Sequence, residues 1–186
     1  KEYKFDYCYH LAAISQVLTS NVSPEETFSI NIFGTINLLE TSRLYQPNIR
    51  FIFSSSDKAY GYSKKLPYEE NFPLNGINPY DASKACADII ARSYAKSFNI
   101  QICVTRFVNI YGPGDVNWDR IVPGTMLSLI KKQKPILRSN GKFKRDYLYI
   151  DDVVDAYILL GKTMMSNKEM SGVAINFGSG KPITVI

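Results

Sequence analysis

The sequence predicts an α/β protein around a mainly parallel sheet, and three observations carry that prediction. Segments rich in β-branched and aromatic residues alternate with helix-like stretches, the pattern of βαβ units. The alternation keeps its order through most of the chain. One apolar run, Arg50 to Ser56 (RFIFSSS), turns polar at its carboxyl end, where open α/β sheets place their ligands.

Taken in order, Phe5 to Leu11 reads as a strand, followed by a polar loop. Ser23-Pro24-Glu25-Glu26 then has the form of a capping box with proline at the first helical position, which starts a helix near Pro24 and runs it to about Tyr45. Within it Phe28, Ile32, Ile36 and Leu39 recur at helical spacing, and Asn31, Gly34 and Thr35 mark a second face suited to close packing. Arg50 to Ser56 is the next strand. A loop carrying Pro67, Pro73 and Pro79 leads into a helix from Pro79 to about Ser97, and Gln101 to Phe107 makes another strand. The Tyr111-Gly112-Pro113-Gly114 turn interrupts the rhythm. A helix from about Val122 to Lys132, a strand from Asp146 to Ile150, a helix from Asp151 to Lys162 and a last strand from Val173 to Phe177 complete the reading.

At 186 residues and 45% hydrophobic content the chain can bury the core of one domain and is short for a two-domain enzyme. No segment resembles a signal peptide and no apolar run reaches the ~20 residues of a membrane span. A soluble, cytoplasmic protein without a membrane role is therefore expected. Cys8, Cys86 and Cys103 are widely spaced and odd in number, which suits reduced core thiols better than a disulfide framework or a nucleophile. With His10 the single histidine, a transition-metal site has almost no ligands to draw on, and no metal is expected. The net charge of +5 admits anionic partners, but apart from Lys131, Lys132 and Lys134 the basic residues are dispersed, so no nucleic-acid partner is expected.

Chemistry concentrates at Tyr80-Asp81-Ala82-Ser83-Lys84, which places a phenol and an ammonium four residues apart on one helix face. A free tyrosine has a pKa of about 10, so as a base near neutrality it needs a cation beside it to stabilise the phenolate. Lys84 is placed to be that cation. Alone, the spacing also describes a surface tyrosine beside a lysine. Ser54-Ser55-Ser56, at the carboxyl end of the preceding strand, adds hydroxyls that could meet Tyr80; its bland reading is a turn that ends the strand.

These residues belong to a longer series. His10-Leu11-Ala12-Ala13, Asn31-Ile32-Phe33-Gly34-Thr35, Ser54-Ser55-Ser56 through Tyr60-Gly61, Tyr80 to Lys84, Arg106 through Gly114 (RFVNIYGPG) and Arg145-Asp146-Tyr147 follow one another in order. In all six the sequence resembles the extended short-chain dehydrogenase/reductase family, the nucleotide-sugar epimerases and dehydratases. The resemblance implies a Rossmann-like doubly wound parallel sheet with part of a smaller substrate-binding domain. Its segments would be 1–116 (cofactor domain with the catalytic helix), 117–145 (substrate-binding), 146–172 (return to the cofactor domain) and 173–186 (start of the carboxyl-terminal substrate region). No G-x-x-G-x-x-G loop follows a first strand, so a fragment lacking the first βαβ half is expected, and with it a chain that begins and ends in mid-fold.

The same resemblance implies NAD as cofactor, a nucleotide-diphosphate sugar as substrate and a homodimer. It makes Ser56, Tyr80 and Lys84 the catalytic triad and places Leu11, Ala12, Ala13, Ser15, Asn31, Ser54 and Val108 along the cofactor. Ser56, Asn109, Arg145 and, more weakly, Arg120 would contact the substrate. The roles suit the chemistry, because an amide can hydrogen-bond a diphosphate or hydroxyl and a guanidinium can fork onto phosphate oxygens. For Asn31 and His10, hydrogen bonds that secure a buried turn are an equal reading.

Asp57-Lys58 sets the subclass. Epimerases of the family usually carry non-titrating residues there, whereas Ser-Asp-Lys and the Gly114 to Pro123 stretch resemble the CDP-glucose 4,6-dehydratases. Such an enzyme must take a proton from sugar C5 and protonate the hydroxyl leaving C6, so it needs an acid and a base beyond the tyrosine. Asp57 is expected as the acid and Lys58 as the base. The rival readings are a nucleotide-sugar 4-epimerase, for which Asp57-Lys58 is a solvated loop pair, and a non-catalytic RNA- or protein-binding member of the family.

Overall fold

Four strands form one parallel sheet in the order β1-β2-β3-β6: β1 (Tyr7–His10), β2 (Arg50–Ser56), β3 (Gln101–Phe107) and β6 (Ala174–Phe177). They come from a computed structural model that describes residues 3–186. In register, Phe51 lies between Cys8 and Ile102, and Val104 between Phe53 and Ala174. Phe51, Ile52 and Phe53 in succession are all buried. Both faces of β2 are therefore covered, which is why the strand reads as a continuous apolar run.

The helices on this sheet are α1 (Val17–Val22), α2 (Pro24–Phe28) and α3 (Gly34–Tyr45), with a π-helical turn at Ser29–Phe33 joining the last two, and α4 (Pro79–Phe98). Pro79 starts α4 and Asn99 stops it in the left-handed conformation, φ 54 and ψ 31, which asparagine tolerates. Ala87, Ala91 and Ala95 give α4 a flat face against Phe51, Phe53, Ile102 and Val104, and Leu39 from α3 completes the core. Burying each of the large side chains contributes about 1.5–3 kcal/mol.

Strands β2 and β3 and helix α4 match the sequence reading closely. Several expectations need correction. The first strand is confined to Tyr7–His10, and part of the expected loop is helix α1. Ser23 makes no side-chain cap; instead Thr27 Oγ1 donates to the Ser23 carbonyl at 2.8 Å. The helical span 24–45 is as expected, but of its apolar stripe only Leu39 is buried, with Phe28, Ile32 and Ile36 half-buried, whereas Asn31 and Thr35 of the close-packing face are buried together with Thr27 and Ser42. Small polar residues let this helix approach its neighbours closely, and they satisfy one another there. Cys103 is buried, but Cys86 on α4 is exposed and is not a core thiol.

By contact the chain divides into Lys1–Phe107 with Leu159–Phe177, and Val108–Ile158 with Gly178–Ile186. The second unit holds a strand the sequence reading missed, β4 (Asn109–Tyr111), paired in parallel with β5 (Tyr147–Tyr149). Tyr111 packs against Tyr147 and Tyr149. A Cβ on Gly112 would fall 2.4 Å from Ile150 Cγ2, so the Y-G-P turn needs its glycine. Helix α5 spans Ile121–Ile130, and α6, Ile150–Ser166, is longer than expected and supplies its end to the first unit. Among the described residues no helix is long and apolar enough to cross a membrane.

Candidate active site

The carboxyl end of β2 passes directly into a 3-10 turn, Asp57–Tyr60. Ser56 caps it: its Oγ accepts from the Lys58 amide at 3.2 Å and donates to Asp57 Oδ1 at 3.2 Å. Lys58 Nζ closes on the same carboxylate at 3.1 and 3.3 Å. Three sequence-predicted residues thus form one hydrogen-bonded cluster. The Lys58 and Asp57 side chains remain 35% and 19% exposed, so the ion pair adds little to stability and its groups stay open to a ligand.

Facing this strand end is α4. Tyr80 and Lys84 are one helical turn apart and both are buried. Lys84 Nζ donates to the Ser54 carbonyl at 2.6 Å and lies 5.2 Å from the centre of the Phe53 ring. The lysine therefore reaches β2 two residues before Ser56. Burial lowers its pKa to about 8, because its charge has exchanged water for a carbonyl and an aromatic face. Asp81, also buried, accepts from Asn78 Nδ2 at 3.3 Å; burial raises its pKa, Asn78 and Lys58 oppose the rise and Asp57 adds to it. Asp81 is thus within electrostatic reach of the Asp57–Lys58 pair.

Asn31 holds the loop after β1 to α4. Its Oδ1 accepts from the Ile14 amide at 2.8 Å, and Nδ2 donates to the Ile14 carbonyl at 3.0 Å and to Ser83 Oγ at 2.8 Å. Ser83 donates onward to the Tyr80 carbonyl. Both amide hydrogens are spent within the chain, so the Asn31 side chain secures the turn, as one of its two sequence readings expects. His10 does the same at the end of β1. Thr35 donates its hydroxyl hydrogen to the Asn31 carbonyl, so His10 Nε2 must be the donor in its 2.9 Å contact with Thr35 Oγ1. Burial, and next the Lys84 charge, lower the His10 pKa to about 4. Leu11, Ala12 and Ser15 are exposed and Ala13 is half-buried on the loop between.

A group with no assigned role in the sequence reading anchors these parts. Arg106 on β3 is 1% exposed and grips the fully buried Asp88 with two bonds, Nε to Oδ2 at 2.8 Å and Nη2 to Oδ1 at 3.0 Å. Nη1 donates to the Tyr60 hydroxyl at 2.7 Å and the Glu70 carbonyl at 3.0 Å. Burial works against this charge, but Asp88 and Tyr60 outweigh it and hold the guanidinium above its ordinary pKa. Tyr60 donates to Asn176 Oδ1 at 2.7 Å. The signal was present in the sequence: an arginine inside the run Ile102-Cys103-Val104-Thr105 to Phe107 demands a buried partner.

The second unit carries the remaining predicted residues. Asn109 is tied by its amide and its side chain to the Asp146 carbonyl, at 3.3 and 3.0 Å. The Asp146 carboxylate accepts from the Ser179 and Gly180 amides and from Ser179 Oγ. Arg145 is exposed, its backbone paired with Ile183 and its guanidinium over Phe143. Arg120 is exposed and paired with Asp115 at 3.3 Å, and Val108 is half-buried. The Arg145 guanidinium donates to the neighbouring Lys144 carbonyl at 3.2 Å and is otherwise open to solvent, a disposition suited to an anionic ligand.

The first unit therefore combines a buried lysine of lowered pKa, a tyrosine one turn away on the same helix and an accessible carboxylate–ammonium pair at the same strand end. Proton removal from a hydroxyl, assisted by a nearby cation, and paired acid–base work are within its chemistry.

The family model described as GDP-mannose 4,6 dehydratase matches residues 1–182. The chain is 38% identical over 176 residues to a dTDP-D-glucose 4,6-dehydratase of Dictyostelium discoideum, covering 88% of this chain and 40% of that protein. It is 30% identical to a CDP-glucose 4,6-dehydratase of Salmonella typhimurium, covering 95% of this chain and 52% of the relative. UDP-glucose 4-epimerases match as well, at 28% identity in Mycoplasma pneumoniae. Among solved structures, a dTDP-glucose 4,6-dehydratase of Bacillus anthracis in complex with NAD superposes with a TM-score of 0.81 at 28% identity, over 97% of this chain and 53% of that one. The chain spans about half the length of the curated relatives it matches.

Proposed function

The chain belongs to the GDP-mannose 4,6-dehydratase family of extended short-chain dehydrogenases/reductases, and from that footing we propose that it is the catalytic portion of an NAD-dependent nucleotide-sugar 4,6-dehydratase acting on CDP-glucose. The observation that carries the reading is the Asp57–Lys58 pair bonded to Ser56 at the strand end that Lys84 reaches. A 4-epimerase has no use for that pair.

Tyr80 takes the C4 hydroxyl proton, with the Lys84 ammonium stabilising the phenolate. Bound NAD supplies the acceptor for the C4 hydride and later its donor to C6. Its fit rests on the buried Lys84, on the loop that Asn31 fixes and on the exposed Leu11, Ala12 and Ser15 beside it. Val108, Asn109, Arg120 and Arg145 are assigned to cofactor and sugar-diphosphate contacts as the family resemblance implies.

The 4-ketone acidifies C5. Lys58 removes the C5 proton, the C6–O bond breaks, and Asp57 gives its proton to the departing hydroxyl, so one water leaves; when hydride reaches C6, the Lys58 ammonium returns a proton to C5. The resting ion pair holds the opposite protonation, and its 3.1 Å contact is short enough for the proton to pass from Lys58 to Asp57. A homodimer is proposed through the helices Pro24–Tyr45 and α4, where Ile30, Phe33, Leu38 and Ile89 are exposed.

The test is product analysis of the complete protein with a panel of nucleotide sugars. CDP-glucose should yield the 4-keto-6-deoxy sugar, and Asp57→Asn or Lys58→Met should abolish that product. Interconversion of C4 epimers that survives both substitutions would establish the epimerase instead, and full activity in Tyr80→Phe would remove the enzymatic reading.

A further inference from the structure

The stripe that carries Tyr80 and Lys84 continues at the same spacing to Asp88, the residue Arg106 grips. The same guanidinium holds Tyr60, the last residue of the turn that bears Asp57 and Lys58, both by a 2.7 Å bond and by lying 4.8 Å from its ring centre. Its further bond to the Glu70 carbonyl, together with the Tyr60–Asn176 and Tyr68–Asn176 bonds, ties the same turn to β6. Tyr60 also stacks on Tyr68 at 4.8 Å. One side chain thus joins the helix face proposed for the redox step to the turn proposed for the elimination step, and it touches neither pair of reacting groups directly.

We propose that Arg106 is a positioning residue that sets the Asp57–Lys58 turn against the Tyr80/Lys84 helix face, so that loosening its Tyr60 arm impairs elimination while sparing oxidation. The inference rests on the dehydratase reading above. Its physical basis is asymmetry. Lys84 is held to β2 by its own bond to Ser54 and Tyr80 by the Ser83–Asn31 bonds. The turn is fastened to Arg106 and β6 through Tyr60, its other ties at Ala59 and Gly61 running to the 68–76 loop, and displacing a catalytic group by about an ångström can cost a hundredfold in rate.

The experiment uses the complete NAD-loaded protein with CDP-glucose and follows three signals: appearance of reduced nicotinamide in a single turnover, its decay, and exchange of the C5 hydrogen with solvent deuterium. Tyr60→Phe removes only the hydroxyl that joins Arg106 to Asn176. Its expected signature is reduced nicotinamide that forms at the wild-type rate and then persists, because decay and C5 exchange slow by about tenfold or more, with KM unchanged. Arg106→Met alone would leave the fully buried Asp88 with the part-exposed Arg92 as its remaining partner, so the second variant is Arg106→Met with Asp88→Leu, which removes the buried carboxylate and leaves Arg92 to solvent; it should show the same split. Equal slowing of all three signals, or slowing of none, in variants that fold would overturn the proposal. Wild-type protein that reduces its nicotinamide but makes no deoxy product would instead overturn the dehydratase reading and this inference with it.

Discussion

The Lys84 ammonium donates to the main-chain carbonyl of Ser54 across 2.6 Å from a side chain that is 4% exposed. Its pKa is about 8, against 10.5 for a free lysine, because burial disfavours the charge. A folded value below the unfolded one means that the group's contribution to stability is complete above 10.5 and is lost as pH falls through about 8. Lys84→Met should therefore make the ligand-free protein more stable at pH 7, by roughly 1–2 kcal/mol after the lost hydrogen bond is subtracted, and the gain should vanish towards pH 10.5. Turnover should fall by about a hundredfold or more, as it does when acid–base help is removed. Thermal unfolding at pH 7 and pH 10, beside an activity assay, checks both; a less stable variant at pH 7 would mean that the buried charge is better compensated than its contacts show.

His10 gives the acid limb. Its folded pKa of about 4 lies below the ordinary 6.5, so its contribution is intact above 6.5 and disappears as pH falls through 4. His10→Phe keeps an aromatic ring beside Phe51 and Phe53 and removes the titration. At pH 7 it should cost about 1 kcal/mol for the lost bond to Thr35. Between pH 6.5 and 4 the wild type should lose stability more steeply than the variant in urea unfolding, and parallel profiles would refute the assignment.

Asn31→Ala removes three hydrogen bonds and leaves the Ile14 amide and carbonyl without their side-chain partner. The expected loss is about 2–4 kcal/mol, since unsatisfied polar groups cost more than the bonds were worth. Denaturant melts should show a lower midpoint with an unchanged slope. Asn31→Asp should recover little, because a carboxylate cannot donate to the Ile14 carbonyl or to Ser83.

What could be read in the sequence and what could not follow from the same physics. Strands β2 and β3 and helix α4 were legible because continuous apolar runs, Pro79 and the Tyr80–Lys84 spacing are local signals. The helical span 24–45 was legible too, as was its close-packing face at Asn31 and Thr35, but not the burial of Thr27 and Ser42 ahead of Phe28, Ile32 and Ile36, because burial depends on which elements the helix meets, as Asn31 meets Ile14 and Ser83. Ser23 makes no side-chain cap bond; the contact at this helix start is instead a local one, from the Thr27 hydroxyl to the Ser23 carbonyl. Within the candidate site, Lys58 could be paired with Asp57 from adjacency, but the grip of Arg106 on Asp88 and Tyr60 depends on three elements meeting in space.

Gly61 closes the turn that bears Asp57 and Lys58, and it does so under two separate constraints. Its φ is +69, and a Cβ there would fall 2.3 Å from the Asn75 carbonyl oxygen, a main-chain atom that cannot swing aside. The neighbouring bond from the Gly76 amide to the Ala59 carbonyl at 3.1 Å holds the two strips of backbone at that separation. Gly114 has a comparable φ of +82 but open space around it. Comparing the two alanine variants therefore separates backbone strain from collision. Gly114→Ala should cost about 1 kcal/mol, the penalty of placing a Cβ in the left-handed region. Gly61→Ala should cost about 2–4 kcal/mol, because the overlap with Asn75 can be relieved only by moving the turn. Unfolding of both variants in parallel measures the difference; equal losses would show that the 75–76 backbone yields freely and that Gly61 is kept for its φ alone.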